Sequence, residues 1–134
     1  MKKIAIVLFM ILISTSAHAK HFKTERYFQD IWCNSKSGQT EVIMSDKTRC
    51  DCIIEEDGIE YAVEVDFSSN GKWYEGISQA LHYAMLTGKQ PGLLLIIERD
   101  SDLEFVKRAM DLIEFYKLGI TVWTIKYTDH ESNR

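Results

Sequence analysis

Acidic side chains lie at matching positions on two predicted strands that flank one tight turn. The dipeptide Asp57-Gly58 is typical of a two-residue β-hairpin turn, in which both central residues need a positive φ. Counting back along both strands from this turn places Asp51 opposite Glu64. Like charges in directly opposed positions destabilise a sheet by up to about 1 kcal/mol. We therefore expect a cation between these carboxylates, and a hard divalent ion such as Mg²⁺, or Mn²⁺, suits oxygen ligands.

A simpler interpretation of the same spacing is an exposed acidic strand face. In this register Arg49 lies opposite Asp66, and its positive charge would neutralise part of that face. Both interpretations rest on strand alternation between residues 50 and 66. The predicted core face carries Cys50, Cys52, Ile54, Tyr61, Val63 and Val65, and the opposite face carries Asp51, Glu64 and Asp66.

The order of these residues is similar to that of a known enzyme superfamily. Asp51, then Glu64-Val65-Asp66, then Gln79 and Tyr83 on a following helix resemble the core pattern of the PD-(D/E)XK nucleases. That pattern has an Asp on one strand, an acidic-x-Lys on the next and, in the recombination-exonuclease branch, Gln-x-x-x-Tyr on a helix. The resemblance implies a restriction-endonuclease-like fold and hydrolysis of phosphodiester bonds.

The resemblance also implies roles for single residues. Asp51, Glu64 and the carbonyl of Val65 are the implied ligands of Mg²⁺. Gln79 could orient a metal ligand or a phosphate, and Tyr83 could stack on a base or hold a phosphate oxygen. A bound Mg²⁺ can neutralise charge in the transition state, make water nucleophilic and stabilise the leaving oxygen.

The chain departs from the family pattern at one position, because Asp66 stands where the family has its lysine. In the family that lysine positions or activates the attacking water. Arg49 is already opposite Asp66, so we expect Lys72, at the start of the next helix, to serve instead. The candidate catalytic residues are Asp51, Glu64, Asp66, Lys72 and Gln79.

Two functions follow from this departure. The first is an exported, metal-dependent nuclease that acts on DNA or RNA. The second is a catalytically inactive nuclease-fold domain with a binding or structural role in the periplasm. Asp66 in the position of the lysine favours the second, whereas Asp51, Glu64, Gln79 and Tyr83 favour the first.

The first nineteen residues predict a signal peptide. An apolar run over residues 4–13 follows two lysines, and Ala17-His18-Ala19 supplies the small residues that signal peptidase needs. We expect cleavage after Ala19, a periplasmic or secreted location without membrane contact, and one domain over residues 20–134. The apolar run is shorter than the roughly 20 residues that span a bilayer. A retained membrane anchor is the alternative.

The charge of the chain limits what it can bind. The net charge at pH 7 is −4, and removal of Lys2 and Lys3 with the leader makes it −6. Proteins that bind nucleic acid without sequence preference usually carry a basic surface. Any contact with DNA or RNA must therefore be local, weak or assisted by a metal.

Three cysteines in an exported chain predict one disulfide and one remaining thiol. Cys50 and Cys52 point the same way from one strand, which makes a bridge between them awkward. We expect Cys33, at the end of the first predicted helix, to pair with Cys52, and pairing with Cys50 is the alternative. No Cys-x-x-Cys pair or histidine cluster accompanies the cysteines, which disfavours zinc.

The predicted first helix spans residues 24–34 and begins at a Thr24 cap. Glu25, near its start, is either a further metal ligand or a complement to the helix dipole. The apolar face of this helix is expected to contain Tyr27, Phe28, Ile31 and Trp32. A short strand over residues 41–44 then leads, through a turn, into the hairpin.

The second predicted helix runs from Lys72 to Thr87 and stops at Gly88. Beside its apolar stripe, polar side chains recur every four residues and predict a second stripe that faces the cleft or the solvent. This polar stripe contains Glu75, Gln79 and Tyr83, with His82 adjacent.

The rest of the chain completes an α/β pattern. Residues 92–98 are almost continuously apolar, as in a strand that is buried on both faces and reached by a parallel crossover. Ser101 and Glu104 predict a capping box for a helix that reaches about Lys117, and residues 120–127 alternate as a last strand. The expected fold is α/β with the order α-β-β-β-α-β-α-β and a mixed central sheet between helices.

Overall fold

A computed structural model describes residues 23–69 and 71–127. The predicted signal peptide, its cleavage site and the polar tail after residue 127 lie outside these residues. In the described part of the chain, no helix combines the length and the apolar character that a membrane crossing requires.

The helices and strands follow each other in the predicted order. They are α1 (Glu25–Ser35), β1 (Gln39–Ile43), β2 (Arg49–Glu56), β3 (Ile59–Phe67), α2 (Lys72–Thr87), β4 (Gln90–Ile97), α3 (Leu103–Phe115) and β5 (Thr121–Lys126). The five strands form one sheet in the order β1-β2-β3-β4-β5. The first three strands are antiparallel, and β4 and β5 run parallel to β3. The described residues therefore form an α/β fold with a mixed sheet flanked by helices.

The hairpin between β2 and β3 has the predicted register. Asp57-Gly58 forms the turn with φ values of 53° and 77°, and Cys52 pairs with Val63 across the ladder. The regular pairs end there. Beyond them Asp51 accepts the Val65 N–H with its side-chain Oδ2 at 2.8 Å. At the acidic end of the hairpin, a hydrogen bond to a side chain thus replaces the backbone pairing between the two strands.

The loss of this ladder also changes the direction of one cysteine. Cys52 belongs to the core beneath α1, whereas Cys50 packs with Met44, Ala62 and Tyr83 on the α2 side. The prediction that both cysteines share one core face is therefore wrong. Alternation holds only where the strand pairs regularly, and Cys50 lies beyond the last regular pair.

The predicted disulfide joins Cys33 to Cys52, with 6.0 Å between their Cα atoms. It ties α1 to β2 one residue away from Asp51. The remaining thiol, Cys50, is fully buried, and burial raises its pKa to about 12. A thiol in that state is unreactive at neutral pH.

The sheet separates two apolar layers, and β4 contributes to both. Alternate residues of β4 pack beneath α1 (Leu94, Ile96) or beneath α2 and α3 (Leu93, Leu95, Ile97). The strand is buried on both faces, as its sequence predicts. In the neighbouring β3 the same alternation directs Val63 and Val65 toward α1. Glu64 and Asp66 therefore face the α2 side.

Helix α2 begins and ends where the sequence predicts, and Gly88 closes it with a φ of 68°. Gly76 allows the helix to approach the sheet closely. A Cβ atom at this position would lie 2.7 Å from Cδ1 of Leu93 and 3.2 Å from Oδ2 of Asp66. The glycine thus brings the backbone of α2 against the acidic end of β3.

The other two helices differ in part from prediction. Thr24 caps α1 as expected, by accepting the Tyr27 N–H at 3.3 Å. Ile31 is exposed, however, and the polar Gln29 is buried in its place. The face that meets the sheet contains Phe28, Gln29, Trp32 and Cys33, because the disulfide turns the helix at Cys33 toward β2.

The predicted capping box of Ser101 and Glu104 is wrong. The chain instead makes one 3₁₀ turn, Asp100–Asp102, before α3. Oδ2 of Asp102 accepts the backbone N–H groups of Glu98 at 3.1 Å and Arg99 at 3.0 Å. A buried carboxylate therefore joins the end of β4 to the start of α3.

Candidate carboxylate site

Four carboxyl groups from three elements come together at the acidic end of the hairpin. Glu64 and Asp66 project from β3 and are only 6% and 4% exposed. Asp51 of β2 is hydrogen-bonded to Glu64, and Glu25 of α1 is hydrogen-bonded to Asp66. These four residues are referred to below as the carboxylate cluster.

Asp51 and Glu64 share a proton. Burial raises the pKa of both groups, and the charge of Asp51 raises the pKa of Glu64 further. The Val65 N–H favours the ionised form of Asp51. The hydrogen bond between the two side chains raises the pKa of Glu64 and lowers that of Asp51, which favours the proton on Glu64.

One oxygen of Glu64 lacks a partner. Its Oε2 is buried and has no hydrogen bond to any described residue. Buried polar atoms almost always have a partner, and an unsatisfied one costs about 1–3 kcal/mol. This oxygen is therefore available to a ligand that the described residues do not provide.

Asp66 and Glu25 form a second pair. Burial raises the pKa of Asp66 from its ordinary value of 3.8 to about 8, and the negative charge of Glu25 adds to this effect. The positive charge of Lys72 opposes it only in part. At neutral pH Asp66 is therefore protonated and donates its hydrogen bond to Glu25.

The donor set of the cluster fits a hard divalent cation. Carboxylate oxygens are the ligands that Mg²⁺ and Mn²⁺ prefer, and Oε2 of Glu64 is an orphaned buried donor atom. Within the described residues, no three His, Cys, Asp or Glu side chains already stand as a metal-binding group. The acids face one another in two proton-sharing pairs, so a cation would have to displace the shared protons.

Neither of the two basic residues, Arg49 and Lys72, has the ion pairing that the sequence suggests. Nη1 of Arg49 lies 3.0 Å from Oε2 of Glu41, and the predicted contact with Asp66 is wrong. Arg49 lies beyond the last regular pair of the hairpin and follows β1, where it pairs with Ile43. Lys72 is not unpaired either, because its Nζ lies 2.9 Å from Oε2 of Glu75.

The residues of the predicted polar stripe of α2 do not share one environment. Gln79 is exposed and makes no hydrogen bond to another described residue. Tyr83 is only 6% exposed and packs on Cys50 and Ala62. Its ring cannot stack on a base, whereas its role toward a phosphate oxygen stays a prediction, as does the role of Gln79.

Tyr83 nevertheless belongs to the surroundings of the cluster. Burial raises the pKa of its hydroxyl to about 12, and the charges of Glu64 and Asp51 add to the effect. His82, next to it, has a partner that the sequence did not indicate, because its Nε2 lies 2.8 Å from Oδ2 of Asp46. That pair is partly exposed and joins α2 to the turn between β1 and β2.

The sequence patterns did not indicate the residues that bind the backbone of Asp51. Nε2 of the buried Gln29 donates to the Asp51 carbonyl at 2.9 Å and to Oε1 of Glu41 at 3.0 Å. Glu41 in turn contacts Arg26 and Arg49. The only signal in the sequence is the position of Gln29, which lies next to Phe28 on the otherwise apolar face of α1.

Two open pockets lie away from the cluster. They have volumes of about 440 and 360 Å³ and share Glu60 and Lys89, which form an ion pair. Neither is lined by a residue of the carboxylate cluster. They therefore add nothing to the chemistry of the acids.

Comparison with known proteins yields no relative. No protein-family model, curated protein or solved structure matches the chain.

Proposed function

We propose that the chain is an exported, metal-dependent protein of the PD-(D/E)XK nuclease type, with a restriction-endonuclease-like fold, that hydrolyses phosphodiester bonds in DNA or RNA. The observation that carries the proposal is the carboxylate cluster, with its shared protons and the orphaned Oε2 of Glu64. Burying carboxylates without basic partners is costly. A bound divalent cation offsets that cost when the protein works.

The metal ligands in this proposal are Asp51, Glu64 and the carbonyl of Val65, with Glu25 as a further candidate. In a strand the N–H and C=O of one residue point to the same side. Since the Val65 N–H meets Asp51, its carbonyl faces the same edge. Mg²⁺ or Mn²⁺, when bound, supplies charge neutralisation and a water of lowered pKa.

The protein's own groups position these donors. The Val65 N–H holds Oδ2 of Asp51, and Gln29 holds the Asp51 carbonyl. Both contacts fix Asp51 on the side that faces Glu64. Lys72 is the proposed replacement for the missing lysine, because its charge reaches Asp66 although Glu75 also binds it.

Isothermal calorimetry of the purified protein tests the metal site. We expect Mg²⁺ or Mn²⁺ to bind with release of protons, seen as an apparent enthalpy that depends on the ionisation enthalpy of the buffer. Asp51→Ala and Glu64→Ala should abolish binding while circular dichroism shows a retained fold. Unchanged binding in both variants would contradict the proposed site.

Cleavage separates the enzyme from the inactive domain. Incubation of labelled DNA and RNA with Mg²⁺, Mn²⁺ or EDTA, followed by a gel, should show metal-dependent products. Asp66 in the position of the family lysine favours the alternative, a nuclease-fold domain that binds without turnover. Metal binding without cleavage of either nucleic acid would support that alternative.

Export is tested separately. The disulfide between Cys33 and Cys52 is compatible with an oxidising compartment. Mass spectrometry of the protein recovered from the periplasm should find a chain that starts at Lys20 and is lighter by one pair of hydrogens. A chain that retains Met1 would refute cleavage.

A further inference from the structure

Two arginines on neighbouring elements are held by one carboxylate. Nη1 of Arg26 lies 2.8 Å from Oε1 of Glu41, and Nη1 of Arg49 lies 3.0 Å from its Oε2. The carboxylate therefore spaces two guanidinium groups that would otherwise repel each other. The arginine side chains remain 54% and 61% exposed, whereas that of Glu41 is 23% exposed.

The arginine pair is connected to the carboxylate cluster. Gln29 bridges Glu41 to the Asp51 carbonyl, so one buried side chain separates the pair from a proposed metal ligand. Arg26 also directly follows Glu25 in α1, and the charge of Glu41 acts on Asp51. The pair thus lies beside the site where a phosphodiester would react.

The position of Glu41 is held firmly. Its φ of 55° lies in the left-handed region, which a non-glycine residue rarely adopts. Gln29 and Arg49 donate hydrogen bonds to its carboxylate, and Arg26 forms an ion pair with it. These contacts hold both guanidinium groups beside one carboxylate.

The guanidinium groups retain donors for an anion. Each guanidinium has five N–H groups in a planar fork. Among the described residues, Arg26 uses Nε toward Asp30 and Nη1 toward Glu41, and Arg49 uses Nη1. The contact between Arg26 and Asp30 is an exposed i,i+4 ion pair, which is weak and readily exchanged.

We infer that Arg26 and Arg49, spaced by Glu41, bind backbone phosphates of the nucleic acid next to the carboxylate cluster. The inference rests on the proposed function and adds the residues that bind its substrate. Arginine forks match phosphate oxygens in geometry and charge. The pair also explains how an acidic chain meets a polyanion: the contact is local and lies beside the acids.

Fluorescence anisotropy of labelled DNA and RNA duplexes, in Mg²⁺ and in EDTA, tests the inference. A gel after each reading checks that the duplex is intact. The double variant Arg26→Gln/Arg49→Gln should bind at least about tenfold more weakly, as for lost charge-assisted hydrogen bonds. The slope of log K against log salt should fall by about 1 for each arginine.

A matched control is Arg108→Gln on α3. Arg108 is exposed to a similar extent and faces Glu104 at 3.7 Å, in an i,i+4 pair like that of Arg26. This variant should keep the parent's affinity and salt slope. If the double variant does not fold, the single changes Arg26→Gln and Arg49→Gln are each expected to remove about one unit of slope.

The result separates this inference from the proposed function. Calorimetry should show unchanged metal binding in the arginine variants, because neither arginine is a metal ligand. Equal DNA and RNA binding by the parent and the double variant would overturn the inference, as would an equal loss in Arg108→Gln or no binding by the parent. Loss of the proposed function alone would appear as unchanged metal binding in Asp51→Ala and Glu64→Ala.

Discussion

Glu64 and Asp102 are equally buried but have opposite surroundings. Asp102 is 3% exposed, and its Oδ2 accepts two backbone N–H groups, from Glu98 and Arg99. Glu64 is 6% exposed, is surrounded by other acids and leaves Oε2 without a partner among the described residues.

This difference indicates that Asp102, and not Glu64, stabilises the fold. Two backbone donors compensate the desolvation of Asp102, so this residue joins β4 to α3 at a net gain. Glu64 and its neighbours destabilise the metal-free protein, because burial and mutual repulsion oppose their ionisation. An arrangement that costs stability points to function.

The largest expected contrast is in cleavage. Glu64→Gln is nearly isosteric, and it should remove metal binding and reduce cleavage by at least about 10²-fold, because the site loses charge stabilisation. Asp102→Asn should leave the metal affinity of the folded protein unchanged. Calorimetry and single-turnover cleavage measure the two effects. Normal metal binding by Glu64→Gln would remove the distinction between the two acids.

The cation nearest the cluster should matter next. Lys72→Ala should reduce cleavage by about 10²-fold, as for loss of a charge-stabilising or proton-transferring group, while metal binding survives. Lys107→Ala is the control, because Lys107 is also ion-paired on a helix surface, with Asp111. Asp66→Lys restores the family pattern and should retain or raise activity.

The two lysine experiments test the role assignments together. In Asp66→Lys the new ammonium would lie beside Glu25, which contacts residue 66 in the parent protein. Loss of activity in this variant, together with normal cleavage by Lys72→Ala, would show that the assigned roles are wrong.

For the free energy of unfolding, the two acids should rank in the opposite order, with the larger loss at Asp102. Asp102→Ala leaves two backbone N–H groups without their acceptor and should lower the free energy of unfolding by about 2 kcal/mol. Glu64→Gln, in EDTA, should leave it unchanged or raise it, because a buried acid is removed. Urea denaturation measures both. A larger loss in Glu64→Gln than in Asp102→Ala would show that Glu64 supports the fold.

Per pH unit, the smallest expected effect is the dependence of the free energy of unfolding on pH. The pKa of Asp66 is about 8 in the folded protein and 3.8 ordinarily, so between these values the folded state binds more protons than the unfolded state. In EDTA the free energy of unfolding should therefore fall as the pH rises from about 4 to about 8, by up to about 1.4 kcal/mol per pH unit for this group.

A matched pair of variants checks the origin of the slope. Asp66→Asn should reduce it, because one of the groups with a raised pKa is gone. Glu64→Gln should reduce it as well, because burial also raises the pKa of Glu64. Urea titrations at several pH values provide the comparison. A slope that both variants leave intact would place its origin outside the cluster.

Local patterns predicted most of the fold, because each rests on neighbouring residues. Asp57-Gly58 set the hairpin register, since few residues adopt a positive φ. The apolar run of β4 predicted a strand buried on both faces, and Gly88 predicted the end of α2. The pairing of Cys33 with Cys52, favoured over the alternative with Cys50, is confirmed.

Contacts between distant elements were less predictable. Arg49 turned to Glu41 because the ladder of β2 and β3 ends before it. Tyr83 is buried because α2 lies close to the sheet there, beside Cys50 and Ala62. Gln29 entered the core because the disulfide turns its helix face inward. A local sequence pattern cannot predict such contacts, because they join residues that are far apart in the chain.

The sequence by itself predicted that Asp51, Glu64 and Asp66 share one end of a hairpin, because a two-residue turn fixes the register of its two strands. Only the tertiary structure decided the protonation of those acids and the contacts of their side chains. Glu25 arrives from α1 and Gly76 brings α2 close to Asp66. Desolvation and repulsion between charges depend on such distances in space, so protonation, the orphaned Oε2 of Glu64 and the neighbouring arginine pair arise from packing.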